Sequence, residues 1–258
     1  MAKQKNHKWL MIVILLITIA SFIYIDYSSL AYLSGEYIVS ILQGLFQPDW
    51  TYVYTPGSGE DLLSLMLDTV AIAFFGTIIG VVLSIPFILL GAYSLWGKFK
   101  IVPRITRGFL NVLRAIPTLI YAILFVRIVG PGEFAGALAI GVQMVGMLGK
   151  LIGEAMDNID DTPVEAMESV GASSFQVFQY GRLAQVMPVA ASHTINHFEI
   201  AVRSATILGL VGAGGIGAPI IFALQARNWG RVSIILLAII IVVVLIDQLS
   251  TFIRKKLK

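Results

Sequence analysis

A chain of 258 residues that is 57% hydrophobic and only 13% charged, with a mean hydropathy of +0.86, falls outside the range of soluble domains and within that of polytopic membrane proteins. It has no cysteine, which excludes disulfides, thiolate nucleophiles and cysteine-bound zinc or iron–sulfur sites. The net charge of +3 is no nucleic-acid signature, because the basic residues flank apolar runs.

Lys3, Lys5 and Lys8 precede an apolar run from Trp9 to Ile25, close to the roughly 20 residues that cross a bilayer. The only small-residue site, around Thr18 and Ala20, is weak, so the run reads as an uncleaved anchor rather than a signal peptide. Asp26 to Asp61 carries Asp26, Glu36, Asp49, Glu60 and Asp61, several aromatics and no lysine or arginine. Within it Ile38 to Phe46 suits a short surface helix, and Pro56-Gly57-Ser58-Gly59 a linker.

Five further spans are predicted: Leu62 to Leu95, which Pro86 is expected to kink, Gly108 to Val129, Phe134 to Gly153, Val189 to Val211, and Val232 to Phe252. With the amino terminus inside, the inner flanks collect Lys98, Lys100, Arg104, Arg107, Lys150, Arg182, Arg254, Lys255, Lys256 and Lys258 besides the first three lysines. The outer flanks keep only Arg227 and Arg231. The expected fold is therefore all-α, a polytopic membrane protein of six transmembrane helices with both termini cytoplasmic. Gly76 with Gly80, Gly132 with Gly136 and Gly149 with Gly153 have the spacing that lets membrane helices approach closely.

The passage from Asp161 to Pro188 is polar, and the charge distribution puts it in the cytoplasm between spans four and five. Thr162, Pro163 and Glu165 predict a helix opened by a capping box, and Gly171 is expected to end it in the left-handed region. Ser173 with Gln176 repeats the capping pattern, so a second short helix should present Phe175, Phe178 and Tyr180. Together these make a helix, glycine turn, helix unit with exposed aromatics.

In span five, Glu199 and Arg203 fall near mid-depth, where one charge costs about 2.5–3.5 kcal/mol, so they face each other, a partner or water. Their i,i+4 spacing suits an ion pair that fixes helix packing, and equally an Arg203 that faces a translocation path. Asn196 and His197 join them as path candidates. His193, His197 and Glu199 raise an intramembrane metalloenzyme as a rival, but they lack the H-E-x-x-H order, so no metal site is assigned. Gly212, Gly214 and Gly217 satisfy G-x-G-x-x-G, yet they follow an apolar helix rather than a strand. With Gly215 they read better as a re-entrant outer turn, an outer gate. Asp247 is expected to be solvated near the inner end of span six. No phosphate-binding loop is present, since Gly91 to Phe99 has the wrong spacing and phenylalanine where Ser or Thr must hold magnesium.

Glu165-Ala166-Met167, then Gly171 after three residues, just before the fifth span, resembles the EAA loop of ABC-importer permeases. The sequence has Met167 where the family has alanine. Ala184 stands where the family has proline, and the proline comes at Pro188, so the second helix is expected to run a turn longer. From Leu62 onward the chain is similar to the phosphonate-type branch. The resemblance is carried by Arg114-Ala115-Ile116-Pro117, Phe125-Val126-Arg127, Phe134-Ala135-Gly136, Leu148-Gly149-Lys150-Leu151, Arg203-Ser204 and the run Leu208 to Gly217.

The apolar run and the acidic segment after it give an anchor and outer-face segment over 1–61; the resemblance implies a type-1 transmembrane domain over 62–254 with its coupling loop at 161–188, followed by a basic tail at 255–258. It implies a permease subunit in the cell membrane, translocating a phosphonate or related small phosphorus oxyanion, with an amino acid or other anion as the alternative cargo. The implied partners are ABC ATPase subunits, an extracytoplasmic binding protein, a second permease copy as a homodimer, and membrane lipid. ATP and magnesium would be held by the partner ATPase, and this chain would be no enzyme and bind no cofactor. Glu165, Ala166, Gly171, Phe175 and Phe178 would then couple to the ATPase.

Overall fold

The computed structural model describes residues 2–28, 34–54 and 61–256, with side chains from Trp9 onward. The described residues contain helices and turns and no strand. The expected linker Pro56–Gly59 and the flanking side chains of Lys3, Lys5, Lys8 and Lys258 lie outside them. The chain divides into two units, Met1–Phe46 and Gln47–Lys258, each described by itself.

The first unit holds α1 (Ala2–Tyr24) and α2 (Gly35–Leu45). Ser34 caps α2 by accepting the Tyr37 N–H at 3.2 Å, and Glu36 places an acid in the first turn, where the helix dipole favours it. This is the surface helix expected around Ile38 to Phe46.

The second unit opens with a short 3₁₀ turn, Trp50–Tyr52, followed by α3 (Leu62–Gly91), α4 (Tyr93–Trp96), α5 (Ile101–Ala115), α6 (Thr118–Val129) and α7 (Glu133–Asp157). Next come α8 (Thr162–Ser169), α9 (Ser174–Gln176), a π-helical segment Val177–Leu183, α10 (Ala184–Leu208), a 3₁₀ turn Gly209–Val211, α11 (Gly217–Gln225) and α12 (Trp229–Lys256). Helices α3, α7 and α12 are long and apolar enough to cross a membrane, and α5 with α6 makes a fourth if that pair is one span. Helix α10 matches them in length, but His193, Asn196, His197, Glu199 and Arg203 keep it below their apolarity.

Helix α7 is the central element: 67% of its apolar window is buried, against 22% of α12's. It packs on α3 through glycines. A Cβ at Gly76 would lie 2.8 Å from the Ala137 carbonyl, and one at Gly80 2.2 Å from the Met144 Cβ, so only glycine lets the two backbones meet. Ile72, Tyr121, Ile140, Leu148, Met156, Val202 and Leu208 fill the core around this contact.

The expected continuous span Gly108 to Val129 is corrected. The helix starts earlier, at Ile101, and breaks before Thr118, where α5 and α6 meet at 85°. Pro117 is the cause: it forces Ile116 into extended backbone (φ −84, ψ 124), which ends α5, and opens α6 without an N–H of its own. The Tyr121 hydroxyl donates to the Leu113 carbonyl at 2.8 Å and bridges the corner. Likewise α3 ends at Gly91 rather than near Leu95, while running through Pro86 unbroken. Arg107 holds that end, donating to the Gly91 carbonyl at 2.8 Å, pairing with Asp157 and lying 4.5 Å over the Tyr93 ring.

Candidate functional site

The polar passage folds as a helix, turn and helix. Asp160 accepts the Thr162 N–H at 2.9 Å, and this hydrogen bond, then that of the Thr162 side chain, holds the exposed Asp160 carboxyl below the usual carboxylate range. The capping box expected between Thr162 and Glu165 is not formed. The cap position falls one residue earlier, at Asp161, so Thr162 is already helical and Pro163 sits in the first turn, where its missing N–H costs nothing. Gly171 takes φ +82, and behind it the Ala172 N–H donates to Met167 and the Gly171 N–H to Glu168, both at 3.0 Å. That is the Schellman closure of a helix end, and it needs the left-handed conformation glycine supplies. Ser173 and Gln176 form the predicted capping box in both directions.

Beyond the box the second helix does not stop. Helix α9, the π-helical Val177–Leu183 and α10 follow one another without interruption, since Ala184 keeps the N–H that a proline would lack. Gln185 ties this run back to the loop entry: its amide nitrogen donates to the carbonyls of Asp160 and Gly181 at 3.0 and 2.8 Å, and its oxygen accepts the Asp160 N–H at 3.0 Å. Val164 is buried where α8 rests on Gly181. Glu165, Ala166 and Phe175 are exposed, as is Tyr180. Phe178 is not presented with them; it packs inward against the hydrophobic core. Arg182, within the π-helical segment, has a buried Nη1 without a hydrogen-bond partner among the described residues.

Helix α10 carries the polar cluster. Glu199 is buried and its two oxygens serve two arginines: Oε1 pairs with Arg203 one turn away, and Oε2 lies 3.6 Å from Nη2 of Arg254 on α12. Arg254 folds back along its own helix, donating to the Ser250 carbonyl and Thr251 hydroxyl at 3.4 and 3.2 Å, and to the Asn196 amide oxygen at 3.2 Å. His197 is buried within electrostatic reach of His193 and Arg114. The sequence placed Arg254 on a solvated flank. The signal it held was a long basic side chain at a span end, able to reach along the helix to an acid in the membrane. Two arginines sharing one carboxylate leave a positive surplus, and the Arg203 side chain is 53% exposed. Glu199 is thus turned to arginines and not to the histidines, and no group of three metal-ligating side chains converges among the described residues.

The glycine run forms a turn between α10 and α11. Gly212, Gly214 and Gly215 all take positive φ. Gly212 accepts the Gly132 N–H at 2.9 Å, and the Ile216 N–H donates to the Thr69 hydroxyl at 3.0 Å. Gly217 starts the short α11. Gly214 and Gly215 line a cavity of about 530 Å³ with Tyr52, Phe222, Asn228 and Arg231, the last 4.4 Å above the Tyr52 ring. The segment before the turn is helical, so the dinucleotide pattern lacks the strand it needs.

The described residues thus form a helical bundle in which three helices are long and apolar enough to cross a membrane and a polar helix–turn–helix feeds α10. Residues 88–258 match the family described as binding-protein-dependent transport system inner membrane components, and the chain belongs to that family. It is 39% identical over 193 residues, 75% of this chain and 70% of the relative, to the phosphite transport system permease protein PtxC of Stutzerimonas stutzeri. The phosphate-import permease protein PhnE of Mycolicibacterium smegmatis is 36% identical over 199 residues, 77% of this chain and 37% of that protein. Among solved structures, the inward-facing MetNI methionine ABC transporter is similar with a TM-score of 0.62 at 19% identity, covering 88% of this chain and 100% of that one. An amino acid ABC transporter gives 0.61 at 17%, covering 90% and 99%. At such identities these structures speak for the fold alone.

Proposed function

We propose that the chain is the permease subunit of an ATP-driven importer for phosphite, phosphonate or a related small phosphorus oxyanion. The observation that carries this reading is the positive surplus between α10 and α12, where Arg203 and Arg254 share the single carboxylate of Glu199. A half-exposed guanidinium offers planar donors to an oxyanion. The relatives' names, phosphite and phosphate transport, agree with it in kind.

In this reading the chain crosses the membrane six times with both termini inside, pairs with a second permease copy and receives cargo from an external binding protein. The ATPase subunits hold ATP and magnesium and dock on the 161–188 loop through Glu165, Ala166 and Phe175, with Phe178 supporting from behind and Gly171 setting the angle. Because α9 passes into α10 without a break, displacement of the loop moves the helix bearing Asn196, His197, Glu199 and Arg203. The π-helical Val177–Leu183 is the place for that motion to be absorbed or passed on. Gly212, Gly214, Gly215 and Gly217 close the outer end.

The test is uptake into vesicles holding the permease, its ATPase and its binding protein. Labelled phosphite or methylphosphonate should accumulate with ATP, and Arg203→Gln should reduce the rate at least tenfold. Accumulation of methionine with no uptake of either phosphorus oxyanion would overturn the cargo assignment.

A further inference from the structure

Asp247 lies in α12, the most apolar of the long helices, and is exposed with no hydrogen-bond or ion-pair partner among the described residues. Arg254, seven residues further on, reaches back toward the helix start to meet Glu199. At 1.5 Å per residue Asp247 stands about 10 Å from the Arg254 backbone. With the backward reach of Arg254 taken off, that is about the level of Glu199 and Arg203, not the solvated end. A carboxylate at that depth does not face acyl chains without a partner.

Its surroundings on the helix are apolar. Ile240, Val244 and Asp247 form one exposed stripe of α12 at i, i+4, i+7 spacing. Helix α10 exposes a matching stripe, Ile200, Arg203 and Ile207, with one charge of opposite sign. Within one chain the cluster holds two arginines and one carboxylate. Asp247 is the missing negative charge, and it points away from its own chain.

We propose that Asp247 pairs with Arg203 of a second copy of this chain, so that the polar cluster of each subunit is completed by the other. This rests on the permease dimer proposed above and adds which residues meet across it. The guanidinium has five N–H donors. Glu199 and the opposing Asp247 then take two of its edges and balance the surplus, so an oxyanion reaches Arg203 by competing with Asp247. The other occupant, lipid, would leave a charge exposed in hydrocarbon on one side and a surplus cation on the other.

The chain has no cysteine, so introduced thiols report without background. Two differently tagged copies, one Arg203→Cys and one Asp247→Cys, are co-assembled with the transporter's other subunits and treated with a short bifunctional thiol reagent. Such a reagent is needed because an arginine–carboxylate pair holds its Cα atoms farther apart than a disulfide permits. The covalent dimer carrying both tags should form at least tenfold more than when Asp247→Cys is replaced by Leu249→Cys, on a neighbouring exposed position. Equal yields overturn the pairing. If the cysteine variants do not assemble, Asp247→Asn in the otherwise native chain serves: recovery of one tag through the other should fall at least threefold, and unchanged recovery overturns it. Neither readout involves cargo, so a failed uptake experiment leaves this result standing, and the reverse.

Discussion

Arg254 reaches from α12 to Glu199 on α10, its Nη2 3.6 Å from Oε2, and thereby fastens the last helix to the one that continues from the 161–188 loop. The contact joins residues 55 apart in sequence and is reinforced by the 3.2 Å hydrogen bond from Arg254 to Asn196. Glu199 is the shared element, because Arg203 uses its other oxygen.

Glu199→Gln should therefore be the most damaging single change in the cluster. It strands two arginines where one carboxylate served both, and breaking a buried pair costs about 3 kcal/mol. Arg254→Gln leaves the Arg203 pair intact and should cost about 1 kcal/mol, the value of an ordinary lost hydrogen bond. Thermal unfolding in detergent should rank wild type above Arg254→Gln and Arg254→Gln above Glu199→Gln. The opposite rank contradicts the shared-carboxylate account.

Glycine packing predicts a sharp contrast. Gly80→Ala forces a Cβ to within 2.2 Å of Met144 and should destabilise by about 1–3 kcal/mol, the cost of overpacking. Gly108→Ala meets nothing within 4 Å and should be neutral or slightly stabilising through helix propensity. Melting temperatures of the two variants check this, and equal shifts would remove α3–α7 contact as the reason for Gly80.

The loop cap should also be separable into its parts. Ser173→Ala removes a two-way capping box and should cost about 1 kcal/mol, with faster amide exchange at Gln176. Thr162→Ala removes no cap, because Asp161 occupies that position, and should leave exchange at Glu165 unchanged. A larger effect at Thr162 than at Ser173 would restore the Thr162–Glu165 box that the structure lacks.

Acid should loosen the same loop. The Asp160 carboxyl is held below its ordinary range by Thr162, so its contribution is present in full above the unfolded-state value and is lost as pH falls through the lower folded value. Protection of the Thr162 amide should accordingly persist to mildly acid pH and vanish under strongly acid conditions. In Asp160→Asn the pH dependence should be absent.

What could be read in the sequence was local chemistry. The Ser173 box and the left-handed Gly171 follow from residues within five positions of one another, and both are present as expected. The i,i+4 pair of Glu199 with Arg203 is equally local. Hydropathy, by contrast, records how apolar a stretch is and not its direction, so the run through Gly108 to Val129 hid an 85° corner that Pro117 alone announces. Gln185 at Asp160 and Arg254 at Glu199 depend on which helices become neighbours, and no spacing in the sequence encodes that. Phe178 illustrates the same limit: the sequence pattern predicts it presented with Phe175, but it packs against the core of the bundle while Phe175 stays exposed.

The central claim is that the 161–188 loop transmits ATPase closure to α10. Its most direct test is cargo-stimulated ATP hydrolysis and uptake in vesicles reconstituted with Glu165→Arg or Gly171→Pro. Gly171 sits at φ +82, which proline cannot adopt, so that variant re-aims the whole turn. The account predicts that both activities fall at least tenfold while the permease still assembles and its α10 cluster stays intact. Uptake at the wild-type rate in either variant would contradict it.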